Sequence, residues 1–247
     1  MGIMLLGSTG MIGSNLKDLL PPMLCPTHKE LELTDRQATE KYIFTHDVSS
    51  IINCASNDDE ECFFDNLKMF VNLAELNIPM IAFCTGLDEE NRPGKSGQYV
   101  FSKRIIRELA LNKYKHILVI RLWGCFGKYE KEQRFFTNNF LRVQQGMPIT
   151  VRENKLFSYV YVKDLVKIIE NLERTSRLIN IVGYTQTLFE YAQIIKKVTE
   201  SPHPIMIGKG DFGLSYFGEN DFNFEYTPLE TAIKEFWDDF NIDTFKT

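Results

Sequence analysis

Short apolar runs alternate along the first half of the chain with amphipathic stretches of helical length. The apolar runs cover residues 2–6, 23–25, 50–54, 80–84 and 116–122. Between them, residues 11–20, 35–44, 62–76 and 98–112 carry apolar side chains three and four positions apart, which predicts helices. Thr34 followed by Gln37 has the spacing of a capping box, which predicts a helix start at Thr34. Alternating strands and helices indicate βαβ units, so the pattern predicts a doubly wound parallel sheet of five strands.

Beyond Gly127 the pattern loosens. It predicts helices at 134–145, 162–172, 187–199 and 228–240, strands at 148–152 and 178–182, and irregular structure at 208–224. We therefore expect an α/β protein in which residues 1–127 form the sheet domain and 128–247 mainly a smaller α/β cap. Segments at about 150–182 are expected to return to the sheet.

Composition narrows the possible partners. The chain has 247 residues, 44% of them hydrophobic, and a net charge of -5, so it has no overall positive field that would attract nucleic acid or an anionic membrane. No apolar stretch is long enough to span a bilayer, and no leader segment is evident, so we expect a cytoplasmic protein. The 5 cysteines and 4 histidines show no metal-ligand spacing, so we expect reduced thiols and no metal site.

A glycine-rich segment follows the first strand and opens the first helix. Its residues are Gly7, Ser8, Thr9, Gly10, Met11, Ile12 and Gly13. Glycines in this context permit a tight turn, close approach to a pyrophosphate and close packing of helix on strand. The segment therefore predicts a dinucleotide-binding turn, with an unliganded glycine turn as the alternative.

A tyrosine and a lysine lie one helical turn apart, at Tyr99 and Lys103, and thus share a helix face. A free tyrosine has a pKa of about 10, and lowering it by roughly three units requires about 4 kcal/mol, much of which a nearby ammonium can supply in a dry site. Thr85 ends the strand before this helix and could bind a substrate carbonyl. Alone, the Tyr-Lys spacing fits a solvated helix face equally well; its order after the glycine turn and Thr85 favours a catalytic set.

With these motifs in this order, the sequence resembles the extended short-chain dehydrogenase/reductase family along nearly its whole length. The similarity is to the branch of nucleotide-sugar epimerases, dehydratases and reductases, and most of all to reductases of the dTDP-4-dehydrorhamnose reductase and GDP-fucose synthase type. Further segments that carry the resemblance are residues 30–35, 51–56, 121–127, 159–164, 178–183 and 226–233.

The resemblance implies a Rossmann-type domain that binds NAD(P), a cap that binds the sugar nucleotide, and a homodimer. Thr85 and Tyr99 would hold a keto oxygen, Tyr99 would donate a proton, and Lys103 would bind the nicotinamide ribose. Besides the glycine segment, Tyr99 and Lys103, the implied cofactor-binding residues are His28, Lys29, Glu32, Leu33, Cys54, Ala55 and Ser56. The implied substrate-binding residues are Gly86, Leu122, Trp123, Arg134 and Arg152.

Departures from the family pattern narrow the expected reaction. Dehydratases carry an Asp-Glu pair directly after the threonine, but Gly86 and Leu87 stand there and acidic residues come only at 88–90. Leu87 also replaces the cysteine that epimerising synthases use, and Phe157 stands where many members carry a substrate-binding arginine.

We therefore predict an NAD(P)H-dependent reductase of a nucleotide-activated 4-keto-(6-deoxy) sugar. His28 and Lys29, after the second predicted strand, give NADP(H) a slight preference over NAD(H). The alternatives are a nucleotide-sugar epimerase or dehydratase of the same family and a catalytically silent dinucleotide-binding regulator.

Overall fold

The structure, a computed structural model, describes residues 2–21, 23–88, 97–172, 178–208, 215–221 and 223–244. The chain forms two compact units. The first comprises Met1–Leu122 with Val166–Ile181, and the second comprises Trp123–Leu165 with Val182–Thr247. The sequence pattern puts the first boundary at 127 and the returning stretch at about 150–182.

The first unit is built on a parallel sheet of five strands in the order β1-β2-β3-β4-β8. The strands are β1 (Gly2–Leu6), β2 (Val48–Asn53), β3 (Met80–Thr85), β4 (Ile117–Leu122) and β8 (Leu178–Ile181). The register pairs Leu6 with Asn53 and Thr85 with Leu122. All six residues of β4 are buried, as expected for a parallel strand covered on both faces. The predicted α/β class and parallel sheet are confirmed.

Helices supply the apolar surface that covers this sheet. They are α1 (Met11–Leu19), α2 (Arg36–Thr45), α3 (Phe63–Ala74), a 3-10 turn (Gly86–Asp88), α4 (Gly97–Asn112) and α6 (Val162–Asn171), whose first residues belong to the second unit. Ile43, Phe70 and Ile106, from α2, α3 and α4, join one core cluster with Ile51 and Val119 of the sheet. The regular spacing of these residues is what made the helices predictable.

The strand predicted at 23–25 is wrong. Leu24 forms only an isolated parallel bridge with Met4, in which Leu24 N donates to Ile3 O and Leu5 N donates to Leu24 O, each at 2.9 Å. Pro21 and Pro26 flank the segment, and proline lacks the N–H that a longer ladder requires. The segment still lies beside β1, on the side away from β2.

The capping box predicted at Thr34 is also wrong, by one residue. Asp35 is the N-cap of α2, and its Oδ1 accepts from Ala38 N at 3.0 Å. The Thr34 hydroxyl instead donates to Glu32 Oε1 at 2.6 Å. At α7 the Thr187 side chain does form a capping box, with Glu190.

The second unit contains two small sheets. β5 (Cys125–Phe126), β7 (Leu156–Tyr161) and β9 (Tyr184–Thr187) form one, and β6 (Ile149–Val151) pairs in parallel with β10 (Ile205–Ile207). Its helices are α5 (Phe135–Gln144), α7 (Leu188–Val198) and α8 (Leu229–Thr244). The sequence pattern predicted these helices, β6 and β8 but missed β5, β7, β9 and β10. In the predicted irregular stretch 208–224, the described residues form only a bridge from Tyr216 to Phe157; residues 209–214 and 222 lie outside them.

A buried carboxylate organises the second unit. Asp164, at the start of α6, is fully buried and accepts from Thr227 N at 2.9 Å and Thr227 Oγ1 at 2.7 Å. The Tyr184 hydroxyl donates to Thr227 O and contacts Asp164 Oδ2 at 3.4 Å. These bonds compensate the cost of burying a polar carboxyl group and tie the segment before α8 to α6.

Candidate functional site

Backbone packing at the turn after β1 requires two of its three glycines. Gly7 has a φ of +70°, and a Cβ on it would lie 2.6 Å from Ala55 N. A Cβ on Gly13 would lie 2.1 Å from Gly7 O, so α1 packs on the turn without room for a side chain. At Gly10 the nearest atom to an added Cβ is Gly7 O at 3.5 Å, which is ordinary contact. The protein therefore leaves room for a methyl group at Gly10.

The same turn exposes the start of α1. Gly10 is the N-cap, it provides no side-chain cap, and the first turn contains no acidic residue. The first N–H groups of a helix need acceptors, and together with the helix dipole they attract an anion. Residues 10–13 thus have the chemistry that suits a phosphate group, and their role in binding one stays a prediction.

A groove of about 640 Å³ extends from this turn and has the size of a small-molecule site. Eight predicted cofactor residues line it: Gly7, Ser8, Thr9, His28, Glu32, Leu33, Ala55 and Ser56. The other eight predicted cofactor residues are not among its described lining residues: Gly10, Met11, Ile12, Gly13, Lys29, Cys54, Tyr99 and Lys103. The sequence did not predict a further set that lines it: Leu6, Pro26, Thr27, Leu31, Thr34, Asn57, Asp59, Asp65 and Met69.

Glu32 lies on the wall of the groove in a fixed position. Its Oε1 accepts from Thr34 N at 2.9 Å and Thr34 Oγ1 at 2.6 Å, and its Oε2 lies 3.2 Å from His28 Nε2. The hydrogen bonds from Thr34, with the charge of His28, lower the pKa of Glu32. The groove therefore contains an ionised carboxylate at neutral pH.

The candidate catalytic side chains lie on β3 and α4. Thr85 is the last residue of β3, and its Oγ1 accepts from Leu87 N at 3.3 Å. Lys103 is buried, and its Nζ lies 5.5 Å from the centre of the Tyr99 ring. The alternative that this pair lies on a solvent-exposed helix face is therefore wrong for Lys103. Its ammonium lies close to the Tyr99 ring. The side chain of Asp88, and residues 89 and 90, lie outside the part described.

Cys54 follows β2 close to the same lysine. Burial raises the pKa of its thiol to about 12, and the charge of Lys103 partly opposes that shift. Cys54 is consequently a neutral thiol at physiological pH.

Two buried polar side chains hold the first turns of α4. Ser102 Oγ donates to Tyr99 O at 2.7 Å and accepts from Asn66 Nδ2 at 3.2 Å. Asn66 also donates from Nδ2 to Asn57 O at 2.9 Å and accepts from Asn57 N at 2.8 Å. Asn66 therefore connects the segment after β2 to the turn that carries Tyr99. Sequence reasoning missed it, although an asparagine on an otherwise apolar helix face was the available signal.

The predicted substrate residues divide between the units. Gly86 and Leu122 follow or end strands of the first unit, whereas Trp123, Arg134 and Arg152 belong to the second. Both arginines are exposed. The Trp123 ring packs on Tyr216 at 5.2 Å, and a Cβ on Gly218 would lie 2.0 Å from the Trp123 ring.

Phe157 has aromatic neighbours where the family often has a cation. Its ring stacks on Tyr159 at 4.5 Å and meets Tyr216 at 4.8 Å. The position thus contributes to an aromatic cluster of the second unit and brings no charge to it.

Glu130 is a buried acid that sequence analysis did not single out. Its Oε2 accepts from Thr137 N and Thr137 Oγ1, both at 2.8 Å, while its buried Oε1 has no hydrogen-bond partner among the described residues. Burial raises the pKa of Glu130 to about 7, despite the hydrogen bonds from Thr137. This side chain therefore changes charge near neutral pH.

No protein-family model matches the sequence, and no curated protein matches it. Solved structures do share the fold. A GDP-L-fucose synthetase from Naegleria fowleri bound to NADP has a TM-score of 0.80 at 18% identity, covering 99% of this chain and 94% of that one. A dTDP-glucose 4,6-dehydratase from Bacillus anthracis in complex with NAD has a TM-score of 0.79 at 16% identity, covering 99% and 98%.

A dTDP-4-dehydrorhamnose reductase from Bacillus anthracis in complex with NADP has a TM-score of 0.79 at 17% identity, and the match covers 96% of this chain and 98% of that one. At these identities the similarity establishes the Rossmann-type α/β fold expected from the sequence. Among the described residues, no three His, Cys, Asp or Glu side chains are arranged to hold a metal ion, and no helix is long and apolar enough to cross a membrane.

The packing of the glycine turn predicts unequal effects of added methyl groups. Gly13→Ala should lower the free energy of unfolding by about 2–3 kcal/mol because the new Cβ overlaps Gly7 O. Gly10→Ala should cost about 1 kcal/mol or less, the difference between glycine and alanine at an N-cap. Urea denaturation of both variants measures this contrast, and equal losses would contradict the packing described.

The buried Glu130 predicts a pH-dependent stability. The folded pKa of about 7 lies above the ordinary value of 4.5, so the folded state holds a proton that the unfolded chain releases between these values. The stability that this group contributes is therefore present below pH 4.5 and lost as the pH rises to 7, by on the order of 3 kcal/mol. Glu130→Gln should remove this loss, so that the variant gains stability over wild type between pH 5 and pH 8 in denaturant titrations. The exposed Glu132→Gln should show no such gain.

Proposed function

We propose that the protein is an NAD(P)H-dependent reductase of a nucleotide-activated 4-keto-(6-deoxy) sugar. The observation that carries the proposal is the Tyr99–Lys103 pair, with Lys103 buried and its Nζ 5.5 Å from the Tyr99 ring centre. The resemblance to sugar reductases supports the reaction. The fold agrees with it, since that fold is shared with a dTDP-4-dehydrorhamnose reductase.

In this proposal Thr85 and Tyr99 bind the keto oxygen of the substrate. A reduced nicotinamide, when bound, supplies a hydride to the carbonyl carbon. The Tyr99 phenol transfers its proton to the carbonyl oxygen, which gives an alcohol and leaves a phenolate. Lys103 stabilises that phenolate because its buried ammonium lies close to the Tyr99 ring. Asn66 and Ser102 hold the turn from which Tyr99 acts.

The residues present fit a nicotinamide dinucleotide as the cofactor. The uncapped start of α1 suits its pyrophosphate, and the groove from Gly7 to Glu32 offers space for the adenosine half. The preference for NADP(H) drawn from the sequence rests on His28 and Lys29, and it finds no support in the groove: His28 is paired with Glu32, and Lys29 is absent from the described lining.

From the resemblance, Gly86, Leu122, Trp123, Arg134 and Arg152 are proposed to contact the sugar nucleotide. The exposed guanidinium groups of the two arginines suit a diphosphate. The cytoplasmic location expected from the sequence stays a prediction.

The proposed chemistry predicts a selective loss of turnover in Tyr99→Phe. With NADH or NADPH and a panel of 4-keto sugar nucleotides, wild type should oxidise the cofactor, and Tyr99→Phe should lower kcat by roughly 10²- to 10⁴-fold with little change in cofactor affinity. The exposed Tyr129→Phe serves as the control and should retain activity. Equal activity of Tyr99→Phe and wild type, or silence of wild type across the panel, would contradict the proposal. Dinucleotide that copurifies and is never net oxidised would instead indicate the epimerase.

We also propose that α3 and α4 form the contact of a homodimer. Phe63 stacks on Phe101 at 5.1 Å across these helices, and the side chains of Phe64 and Phe101 are 70% and 51% exposed. They line a shallow apolar depression of about 370 Å³ with Gly97 and Gln98. Exposed aromatic clusters of this kind mark contact surfaces.

This contact predicts that polar substitutions separate the subunits. Light scattering after gel filtration should give a dimer for wild type and a monomer for the double variant Phe64→Ser with Phe101→Ser, because the variant no longer gains the burial of both rings. Phe44→Ser, on α2, changes an equally exposed ring (72%) and should leave the dimer intact. A monomeric wild type would refute the contact.

A further inference from the structure

We propose that Glu130 controls a lid in the second unit. Its neutral carboxyl group holds the segment between β5 and α5, residues 127–134, in place, and loss of its proton lets that segment open. The inference goes beyond the proposed function, because the proposed reaction does not use Glu130. It rests on how the 127–134 segment is attached and on the groups that surround the carboxyl.

The attachment is a hydrogen-bonded contact with the start of α5. Glu130 is 7% exposed, and the other residues from 128 to 134 are half-buried or exposed. Glu130 Oε2 accepts from Thr137 N and Thr137 Oγ1, both at 2.8 Å. Thr137 N belongs to the first turn of α5, whose N-cap residue, Arg134, provides no side-chain hydrogen bond. Glu130 therefore takes the place of the missing capping side chain.

The backbone of the 127–134 segment is bent and bonded within itself. Gly127 has a φ of 138°, and Tyr129 has a φ of 66°, which a tyrosine rarely adopts. Glu130 N donates to Gly127 O at 3.1 Å, and Arg134 N donates to Lys131 O at 2.9 Å. Because these bonds join residues of the same segment, opening need not break them. The segment can therefore move once the contact between Glu130 and α5 is lost.

The surroundings of the carboxyl group favour its neutral form. Glu130 Oε1 is buried and has no hydrogen-bond partner in the part of the chain that the structure describes, so a charge on it would be poorly solvated. Cys125 on β5 and Tyr159 on β7 also act on this group, and both stay neutral at pH 7 because burial raises their pKa. The charge of Arg134 opposes the effect of burial without overcoming it, so the pKa of Glu130 is raised to about 7.

Opening of the segment is therefore linked to release of a proton. In the open form the carboxyl meets water, and its pKa returns towards the ordinary value of 4.5. The closed form is favoured below pH 4.5 and loses that advantage as the pH rises to 7. With these two pKa values, the equilibrium constant for opening should rise at least about tenfold from pH 5.5 to pH 8.

Amide hydrogen exchange on the whole protein tests the lid. Peptides are followed by mass spectrometry, and the rates are corrected for the intrinsic effect of pH on exchange. In wild type the amides of residues 128–138 should open at least about tenfold more at pH 8 than at pH 5.5, whereas the amides of β7 should change much less. This contrast separates local opening from unfolding of the whole protein.

Variants assign the response to the carboxyl group. Glu130→Gln stays neutral and keeps an oxygen that accepts from Thr137, so exchange at 128–138 should be the same at both pH values. Thr137→Val loses the hydroxyl but keeps the N–H, so its exchange should be faster at both pH values and still rise with pH. The exposed Glu132→Gln serves as the control and should behave like wild type.

Three results would overturn the inference and leave the reductase proposal intact. They are exchange at 128–138 that does not change with pH in wild type, a rise of equal size in β7, and a rise that Glu130→Gln retains. A rise confined to 128–138 and absent from Glu130→Gln would support the lid whether or not the protein reduces a sugar nucleotide.

A nucleotide tests the link to the proposed function, in which Arg134 contacts the sugar nucleotide. At pH 8, dTDP or GDP at about ten times its dissociation constant should slow exchange at 128–138 about tenfold, because Arg134 keeps its place only in the closed form. Bound nucleotide that leaves this exchange unchanged would overturn the link and count against Arg134 as a substrate contact. The pH response of Glu130 is judged separately.

Discussion

The common direction of the strands in the first unit is the constraint on which the rest of the site depends. Parallel strands end at the same edge of a sheet, and the register of β1 to β4 brings four chain segments of different sequence position to that edge. The glycine turn follows β1, the segment from Cys54 follows β2, Thr85 ends β3, and Leu122 ends β4. No one of these segments is a site alone; the sheet makes them neighbours.

The sheet brings these segments near one another, and buried polar side chains then fix their relative positions. Asn66 and Ser102 lie in an apolar environment, where an unpaired amide or hydroxyl would be costly. Their hydrogen bonds are satisfied only when the segment after β2 and the first turns of α4 hold one relative position. Asp164 does the same for the second unit through Thr227. Apolar packing alone would permit small shifts of these segments relative to one another, and the hydrogen bonds prevent such shifts.

Much of this arrangement can be predicted from the sequence where the signal is local. The strands and helices up to Leu122 follow from hydrophobic period and length, and the glycine turn from its place between strand and helix. The segment near Leu24 fails because its flanking prolines limit pairing. β7 and β9 pair with each other across more than twenty residues of intervening chain. They were missed because the residue pattern within a strand does not indicate which strand it pairs with. Asp59 and Asp65 were missed for a related reason, since they reach the groove from the next turn and helix.

The neutral thiol at Cys54 has a consequence for how the molecule tolerates oxidants. Peroxides and disulfides react with the thiolate form of cysteine. With a pKa of about 12, the Cys54 thiol is ionised in only about one molecule in 10⁵ at pH 7. The Cys54 thiol near Lys103 is thus unreactive, although the positive charge of Lys103 by itself would lower its pKa and make it more reactive. Desolvation of this partly exposed thiol outweighs the charge of Lys103, so Cys54 reacts slowly with oxidants at the edge of the sheet that holds Thr85.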